Sequence, residues 1–425
     1  MLAHLDRKTT GRPVKILLYG INYAPELTGI GKYTGEMAAW LASAGNEVRV
    51  VTAPPYYPEW RVANGFPNVW QTEHWQGVRV WRCPLYVPAQ PSGLKRLLHL
   101  ASFALSSLPV MLRQAAWRPD VVWVVEPAFM CAPAAMAFAA LGGAKSWLHI
   151  QDFEVDAAFD LGLIKGRTLR SRVENGERWL MRRFDRVSTI SGRMMERAKA
   201  KGVAQERVVH FPNWVDISGI SPLMSPSAYR AELGLAPDVV VALYSGNMGN
   251  KQGLEILADV ARLLQDNPRI QFVFGGNGSG RADLQARCAG LTNVRFLDLQ
   301  PLERLNDWLG LADVHLLPQR ADAADLVMPS KLTGMLASGR AVLATALPET
   351  ELGRVVTQDA ACGLVVPPED AAAMAEALRA LAADPARRAE LGANGRRYAE
   401  AELSQDVILR RFETQLVALV QGDAA

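Results

Sequence analysis

Short apolar runs rich in β-branched residues alternate along the chain with longer segments in which apolar residues recur at helical spacing. Runs of the first kind predict strands at 14–19, 47–52, 120–125, 145–150 and 185–190, and again at 239–245, 270–275, 293–297, 313–318, 340–345 and 363–367. Strands that are apolar throughout are typical of sheets buried on both faces. Their alternation with helices predicts an α/β protein with parallel sheets.

A break between the two sets of strands divides the chain. Residues 216–236 mix proline, serine and glycine, as a linker does. A chain of 425 residues also exceeds the roughly 250–300 residues of a single core. We therefore predict two Rossmann-like domains, 1–215 and 216–403. The helical pattern of 404–425 follows the second sheet and is placed to cross back to the first domain.

Composition excludes several classes of protein. Lysine and arginine number 46 against 43 aspartates and glutamates, so the net charge of +3 does not favour a nucleic-acid partner. The four cysteines are far apart and form no C-x-x-C or metal-ligand spacing, which favours a reducing cytosol. Residues 1–13 lack the apolar core of a secretory signal. These features predict a cytoplasmic protein.

Glycines follow the first predicted strand. Ligands of open α/β sheets bind at the carboxyl ends of strands. Gly29 and Gly31 stand there and lead into a helix, so they would let an anion approach backbone N–H groups. A plain tight turn accounts for these two glycines equally well.

The second predicted domain repeats this arrangement twice. Residues 244–255 include Asn247 and Lys251, and residues 272–284 include Gly276 and Asn277. Neither loop ends in the G-K-[ST] of a P-loop, and no dinucleotide fingerprint follows the first strand. The repetition predicts a site for a phosphate-bearing donor, with chance recurrence of turn glycines as the alternative.

Four stretches together carry a resemblance to a known family: "APELTGIGKYTGEMAAWLASAGNEVRVVT", "FPNWVD", "FGGNG" and "MPSKLTGMLASGRAVLAT". They resemble family-four retaining glycosyltransferases of the GT-B fold over nearly the whole chain. The stretches "LHIQDFEVDAAF" and "YSGNMGNKQGLE" are most similar to the colanic acid biosynthesis fucosyltransferase type. The resemblance implies two domains facing across a cleft, a nucleotide-sugar donor on the second domain, an acceptor on the first, and retention of anomeric configuration.

The resemblance also implies roles for residues of the second domain. Lys331, beside Ser330 at a helix start, would bind the donor diphosphate, although it could be a solvated surface lysine. Lys251 lies where the family carries basic residues, and Asn247 stands where the family usually has arginine. Leu299 would bracket the nucleobase through its backbone.

Gln300 would bracket the base together with Leu299, or be an ordinary loop residue. The family's two donor-binding glutamates fall on Leu326 and Gly334, with Asp325 one residue from the first of these positions. No D-x-D carboxylate pair is present, so we expect no metal and no cofactor. The nucleotide sugar would be a substrate.

Polar residues end the strand at 145–150. His149 and Asp152 are followed closely by Glu154 and Asp156. A histidine at a strand end is often a structural hydrogen-bonding group. We predict Asp152 first and His149 second as residues that orient the acceptor hydroxyl or stabilise the positive reacting centre.

Leucines recur at helical spacing between residues 92 and 119, with Lys95, Arg96, Arg113 and Arg118 near the ends. This segment would either pack against the first sheet or contact an anionic bilayer from the inner face of the membrane. It is too short to span one.

These features predict a metal-independent, retaining glycosyltransferase that moves fucose from GDP-fucose to a lipid-linked oligosaccharide acceptor in exopolysaccharide assembly. The donor is implied by the resemblance alone. A transferase for a UDP-N-acetylhexosamine is the nearest alternative. A nucleotide-sugar epimerase and a non-catalytic nucleotide-sugar-binding protein are two others.

Overall fold

The chain folds as two units. The computed structural model describes residues 12–26, 29–90, 92–126, 129–153, 167–249, 252–320 and 329–422. The first unit takes the residues up to Pro212 together with those from Leu409 onward, and the second is Asn213–Ile408. These divisions fall close to the predicted boundaries after 215 and after 403.

The first unit contains an eight-stranded sheet with helices packed against it. Its strands are β1 (Lys15–Tyr19), β2 (Glu47–Thr52), β3 (Gln71–Trp75), β4 (Val78–Arg82), β5 (Val121–Glu126), β6 (Lys145–Ile150), β7 (Arg186–Thr189) and β8 (Val208–His210). Its described helices are α1 (Gly29–Ser43), α2 (Gly93–Ala115), α3 (Ala132–Gly142), α4 (Arg167–Met181) and α5 (Gly192–Ala200). The strand order is β3-β4-β2-β1-β5-β6-β7-β8, and every neighbouring pair is parallel except β3 with β4.

Three strands of this sheet escaped the sequence analysis. The β3–β4 hairpin turns through Gln76 and Gly77, both with positive φ, as a two-residue hairpin turn requires. β3 reads "QTEHW", which is too polar to resemble a buried strand, because it forms the exposed edge of the sheet. β8 is only three residues long.

The second unit contains a six-stranded parallel sheet. Its strands are β9 (Val240–Ser245), β10 (Ile270–Gly275), β11 (Val294–Leu297), β12 (Val314–Leu317), β13 (Ala341–Thr345) and β14 (Gly363–Val366). Its described helices are α6 (Ala228–Glu232), α7 (Glu255–Leu263), α8 (Arg281–Arg287), α9 (Leu305–Gly310), α10 (Lys331–Ala337), α11 (Glu351–Arg354), α12 (Ala371–Ala383) and α13 (Pro385–Tyr398), with π-helical turns at Val355–Asp359 and Ala399–Leu403. All six strands were predicted.

The last helix, α14 (Gln405–Gln421), begins in the second unit and packs on the first. Phe412 is buried there, with ring centroids 4.5 Å from Phe211, 5.1 Å from Trp147 and 6.4 Å from Trp123. Burial of an aromatic side chain among other rings stabilises by a few kcal/mol. The helix therefore crosses back to the first domain, as predicted.

The strand order of the second sheet reverses at its centre. Its order is β11-β10-β9-β12-β13-β14, so β9 lies between β10 and β12. In parallel sheets the loops on either side of such a reversal diverge and leave room for a ligand at the carboxyl ends of the strands. Chemistry in this unit should therefore be sought in the loops after β9, β10 and β12.

The loops after β9 and β10 are held together through their backbones. The Gly246 N–H donates to the Gly275 carbonyl at 3.0 Å, and the Met248 N–H donates to the Asn277 carbonyl at 2.9 Å. A Cβ atom on Gly276 would lie 1.9 Å from the Gly246 carbonyl oxygen, and Gly276 has φ of +137°. Gly276, which was predicted to make room for a ligand, therefore makes room for the neighbouring loop after β9.

This contact gives a direct stability prediction. Gly276→Ala should lower the free energy of unfolding of the second unit by at least about 2 kcal/mol more than Gly290→Ala, because only the first methyl group collides with backbone. Gly290 is a matched control, since it also has positive φ (+83°) but nothing lies within 4 Å of a Cβ there. Urea unfolding of both variants measures the difference. Equal destabilisation would show that the loops can separate without cost.

Candidate functional site

A lysine lies beside the paired loops at the carboxyl ends of the second sheet. Lys331 begins α10, and its Nζ sits 4.2 Å from the centroid of the Tyr244 ring, at the end of β9. The same Nζ donates to Gln252 Oε1 at 3.4 Å. A Cβ on Gly246 would lie 3.5 Å from Lys331 Cδ, so the lysine stem runs along the glycine loop.

The electrostatic setting of Lys331 suits an anion. The residue is half-buried, and burial lowers the pKa of its ammonium group to about 7. Within the described part of the chain, no carboxylate pairs with it. A buried cation without a counter-ion is destabilised, and a bound anion would relieve that cost. Lys331 is therefore poised to bind a negatively charged group.

The other predicted donor residues occupy the same edge of the sheet. Asn247 and Asn277 are exposed on the paired loops, and Asn277 Oδ1 accepts from Arg281 at 2.5 Å. Ser330 is exposed just before α10. Lys251 lies outside the described residues. These positions agree with a common site, but the side chain of Asn277 is already used to anchor Arg281.

The predicted base-binding loop follows β11. Leu299 is exposed, and Gln300 Oε1 accepts from the Tyr229 hydroxyl at 2.7 Å. Gln300 Nε2 donates to the Asp298 carbonyl at 2.8 Å. Both ends of the Gln300 amide therefore shape the loop, which leaves its backbone and Leu299 as the groups available to a ligand.

Gly334 stands where the family's second glutamate was expected. A Cβ there would lie 3.3 Å from Leu309 Cδ1 and 3.9 Å from Ile220 Cδ1. A side chain at this position would start toward apolar neighbours, so the chain places no carboxylate there. Leu326 and Asp325 lie outside the described residues.

A cavity of about 270 Å³ adjoins the carboxyl ends of β12 and β13. Its charged lining residues are Glu255, Asp259, Glu369 and Arg320, and Arg320 pairs with Glu255 at 2.8 Å. Three carboxylates against one guanidinium repel a diphosphate. The lining of this cavity therefore suits an anion less well than the surroundings of Lys331 do. No group of three or more metal-ligating side chains occurs in the described ranges.

In the first unit, Gly31 of the loop after β1 lies against the side chain of Glu26. Gly29 begins α1 with φ of +60°, and a Cβ on Gly31 would lie 2.4 Å from Glu26 Oε2. Glu26 Oε1 accepts from the N–H groups of Tyr56 and Tyr57, each at 3.1 Å. Gly31 is therefore small because Glu26 packs against it. The sequence analysis did not foresee this packing, and ligand access to the backbone at Gly31 stays a prediction.

Burial controls the charge of that carboxylate. Glu26 is buried, and this raises its pKa, while hydrogen bonds from Tyr56, Tyr57 and Asn22 and the nearby Arg82 oppose the rise. Its partners join the loop after β1 to the loop after β2. Glu26 thus ties two loops at the carboxyl edge of the first sheet, a role that the sequence analysis missed.

The two predicted catalytic residues differ sharply in environment. His149 is 2% exposed, stacks on Trp123 at 5.2 Å, and hydrogen-bonds Ser188 Oγ through Nδ1 at 2.8 Å. Gln151 Nε2 donates to its Nε2 at 2.9 Å, and burial lowers the pKa of His149 to about 3. His149 is therefore a neutral core residue, as expected of a structural hydrogen-bonding group at a strand end, and its role toward the acceptor hydroxyl stays a prediction.

Asp152 is exposed two residues after β6. It follows buried Gln151, whose amide is used by His149. The buried histidine therefore fixes the end of the strand from which Asp152 projects. Glu154 and Asp156 lie outside the described residues.

Helix α2 packs by a face that excludes most of its leucines, although Leu100 contacts the core. Its buried residues are His99, Phe103, Ser107, Val110, Met111 and Gln114. Leu94, Leu105 and Leu112 are 71%, 67% and 62% exposed. Trp70 is also exposed and donates through Nε1 to the Ser106 carbonyl at 2.9 Å. Across the described ranges, no helix is both long and apolar enough to traverse a bilayer.

The contacts that sequence reasoning missed at the second unit were Tyr244 and Gln252, which hold Lys331. One feature of the sequence indicated Tyr244, since this aromatic residue stands one position before the end of a buried strand that leads into a glycine-containing loop. Nothing in the sequence indicated Gln252, because a polar residue in a loop has many possible hydrogen-bonding partners.

Two family models match the chain, one for each unit. The model described as a glycosyl transferase 4-like domain matches residues 28–214, and the model for glycosyl transferases group 1 matches residues 239–384. The chain is 45% identical to WcaI of Escherichia coli K12, a protein assigned as a colanic acid biosynthesis glycosyl transferase. This alignment covers 94% of this chain and 98% of that protein.

Solved structures agree on the architecture. Sucrose-phosphate synthase from Thermosynechococcus elongatus superimposes with a TM-score of 0.72 at 19% identity, covering 97% of this chain and all of that one. HepE of Anabaena in complex with UDP and glucose gives a TM-score of 0.67 at 15% identity, covering 95% and 100%. With both domain models matched and a relative 45% identical along nearly its whole length, this chain belongs to the family-four glycosyltransferases of the GT-B fold.

Proposed function

We propose that this protein is a retaining, metal-independent transferase that moves fucose from GDP-fucose to a lipid-linked oligosaccharide during exopolysaccharide assembly. The observation that carries the proposal is the ammonium group of Lys331, half-buried at the carboxyl edge of the second sheet and without a carboxylate partner in the described ranges. The likeness to the colanic acid relative supports the biosynthetic role. GDP-fucose follows from the resemblance of the sequence motifs.

Lys331 would bind the diphosphate of the donor. During transfer, negative charge develops on the leaving diphosphate, and a cation already in place stabilises it without a metal ion. The Tyr244 ring and Gln252 hold the ammonium group in position. The paired loops present exposed Asn247 beside it.

Asp152 would serve the acceptor in the first unit. An exposed carboxylate can accept a hydrogen bond from the acceptor hydroxyl and so orient its oxygen. In a retaining reaction on one face of the sugar, the leaving phosphate oxygen takes the hydroxyl proton. The protein then needs to orient the acceptor hydroxyl and to stabilise the charge of the leaving diphosphate. Asp152 would do the first and Lys331 the second.

Removing the charge of Lys331 should strongly weaken donor binding. Lys331→Met should weaken binding of GDP and GDP-fucose by roughly 100-fold or more, since a charge-assisted contact to phosphate is lost. Isothermal titration calorimetry with GDP, GDP-fucose, UDP and UDP-N-acetylglucosamine measures this. Lys199→Met is the control, because Lys199 forms a surface pair with Glu196 in α5.

Binding should also depend on pH. Free Lys331, with a pKa near 7, is largely neutral at about pH 8.5, and a bound diphosphate raises that pKa and draws in a proton. Affinity should therefore fall between about pH 7 and pH 8.5 in the natural protein and stay flat in Lys331→Met. Heats measured in two buffers of different ionisation enthalpy should report proton uptake. Preference for UDP ligands would move the assignment to an N-acetylhexosamine donor, and unchanged binding by the variant would remove Lys331 from the site.

Asp152→Asn separates transfer from binding. The variant should lose sugar transfer by about 100-fold or more while binding GDP with unchanged affinity, because Asp152 belongs to the other unit from Lys331. Release of GDP in the presence of a lipid-linked acceptor, compared with calorimetric binding, measures both. Transfer at the natural rate would contradict the assignment. Free GDP formed without any glycosylated acceptor would instead favour the epimerase alternative.

The outward face of α2 supports an encounter with an anionic bilayer. Its exposed leucines are joined by Trp70 and by the exposed side chains of Lys95, Arg96 and Arg113. Apolar residues flanked by cations suit a surface where anionic headgroups meet acyl chains. A lipid-linked acceptor would be held at the same surface.

Replacing two of these leucines should weaken membrane binding. Leu105→Gln with Leu112→Gln should reduce binding to vesicles of phosphatidylglycerol and phosphatidylcholine by roughly tenfold or more. The matched control is Leu263→Gln with Leu302→Gln, which alters exposed leucines of the second unit. Vesicle sedimentation measures both pairs, and equal binding would contradict a membrane role for α2.

A further inference from the structure

A second basic site lies at the opposite edge of the second sheet from Lys331. A cavity of about 450 Å³ opens at the amino ends of β9, β12 and β13. Its charged lining residues are Arg230, Arg340, Arg388, Asp238 and Asp313. Three guanidinium groups thus face two carboxylates, and nothing in the proposed transfer reaction uses them.

Arg230 is committed to building the cavity. Its Nη1 pairs with Asp313 Oδ2 at 3.2 Å, and its Nη2 donates to the Val239 carbonyl at 2.5 Å. Asp313 Oδ2 also accepts from the Val241 N–H at 2.8 Å. The charge of Asp313 is therefore shared between Arg230 and the backbone at the start of β9. Asp238 lies at the outer side and approaches exposed Arg269 at 3.8 Å.

Arg340 and Arg388 have capacity left for a ligand. Arg340 is half-buried just before β13 and makes no hydrogen bond or ion pair to any described residue. Among the described residues, Arg388 donates through Nη1 alone, to the carbonyls of Leu381 at 2.5 Å and Ala382 at 2.9 Å. Burial lowers the pKa of Arg340, the charge of Asp313 opposes this, and the nearby Arg230 and Arg388 lower the pKa further. His315 adds no charge, because burial lowers its pKa to about 3.

The wall of the cavity is a segment held firmly in place. Residues 221–227 pack over Gly310, where a Cβ would lie 2.3 Å from Leu223 Cδ1. Ser221 N–H donates to Asn306 Oδ1 at 2.8 Å, and Ser227 Oγ donates to the Asp307 carbonyl at 2.9 Å. The cavity is therefore preformed, and its size is within the range of small-molecule sites.

We propose that this cavity, with Arg340 and Arg388 as its free donors, is a second anion site that binds a phosphate monoester or diphosphate group. Guanidinium groups bind phosphate oxygens through two parallel hydrogen bonds, and a half-buried cation gains most from such a partner. The ligand is either a free phosphorylated metabolite or the headgroup of an anionic lipid. Both present phosphate oxygens to the two arginines.

The test uses pyrophosphate and inorganic phosphate in the full-length Lys331→Met protein, so that the first site does not contribute. Calorimetry at constant ionic strength, with sodium chloride as the reference salt, should show saturable binding. Adding Arg340→Met should weaken it at least tenfold. Arg172→Met is the matched control, since Arg172 is exposed on α4 in the other unit. Circular dichroism checks that each variant is folded.

Arg388→Met keeps the test decisive if Arg340→Met does not fold, and it too should weaken binding at least tenfold. Vesicles of phosphatidic acid and phosphatidylcholine separate the two ligand sources. Loss of vesicle binding by Arg340→Met, but not by Arg172→Met, identifies a lipid headgroup, whereas loss of pyrophosphate binding alone identifies a soluble metabolite. Unchanged pyrophosphate binding in the folded arginine variants, or no heat above that of chloride, would overturn the proposal.

Discussion

The close backbone approach of Gly246 and Gly276 sets the geometry of the second unit's carboxyl edge. The loops that follow β9 and β10 share backbone hydrogen bonds, and they can approach because Gly276 carries no side chain where it faces the Gly246 carbonyl. That contact leaves one flank of the β9 loop open to the stem of Lys331. Lys331 therefore packs along a loop whose own position depends on the missing side chain of Gly276, in the neighbouring loop after β10.

Charge is distributed unevenly over the two edges of this sheet. At the carboxyl edge, Lys331 has an aromatic ring and an amide for neighbours but no carboxylate in the described ranges. At the amino edge, Asp313 pairs with Arg230 and accepts from the Val241 N–H, and it acts on Arg340 only from a distance. Arg340 has no ion pair with any residue that the structure describes. In both places burial makes an unpaired cation costly, and an anionic ligand is the chemistry that lowers the cost.

The first unit uses its buried polar groups differently. Glu26 forms hydrogen bonds to the loop after β2, and His149 forms hydrogen bonds to Ser188 on β7 and to Gln151. Buried polar side chains with complete hydrogen bonding hold the neighbouring backbone in place, and His149 and Gln151 do this for the strand end that carries the exposed Asp152. The outward leucines of α2 belong to the same unit, so its surface combines a polar strand end with an apolar helix face.

The sequence by itself determined the α/β class, the two units and all the buried strands of the second sheet, because uninterrupted apolar runs have few other uses. Its motifs also identified Lys331 and the glycine loops as candidates. The polar edge strand β3 was missed, since pairing at an edge needs no apolar pattern. Only the tertiary structure decided that Gly31 faces Glu26, that His149 is a core residue and that the α2 leucines point outward. Those outcomes depend on which side chain fills a given space, and residues far apart in the chain decide that together.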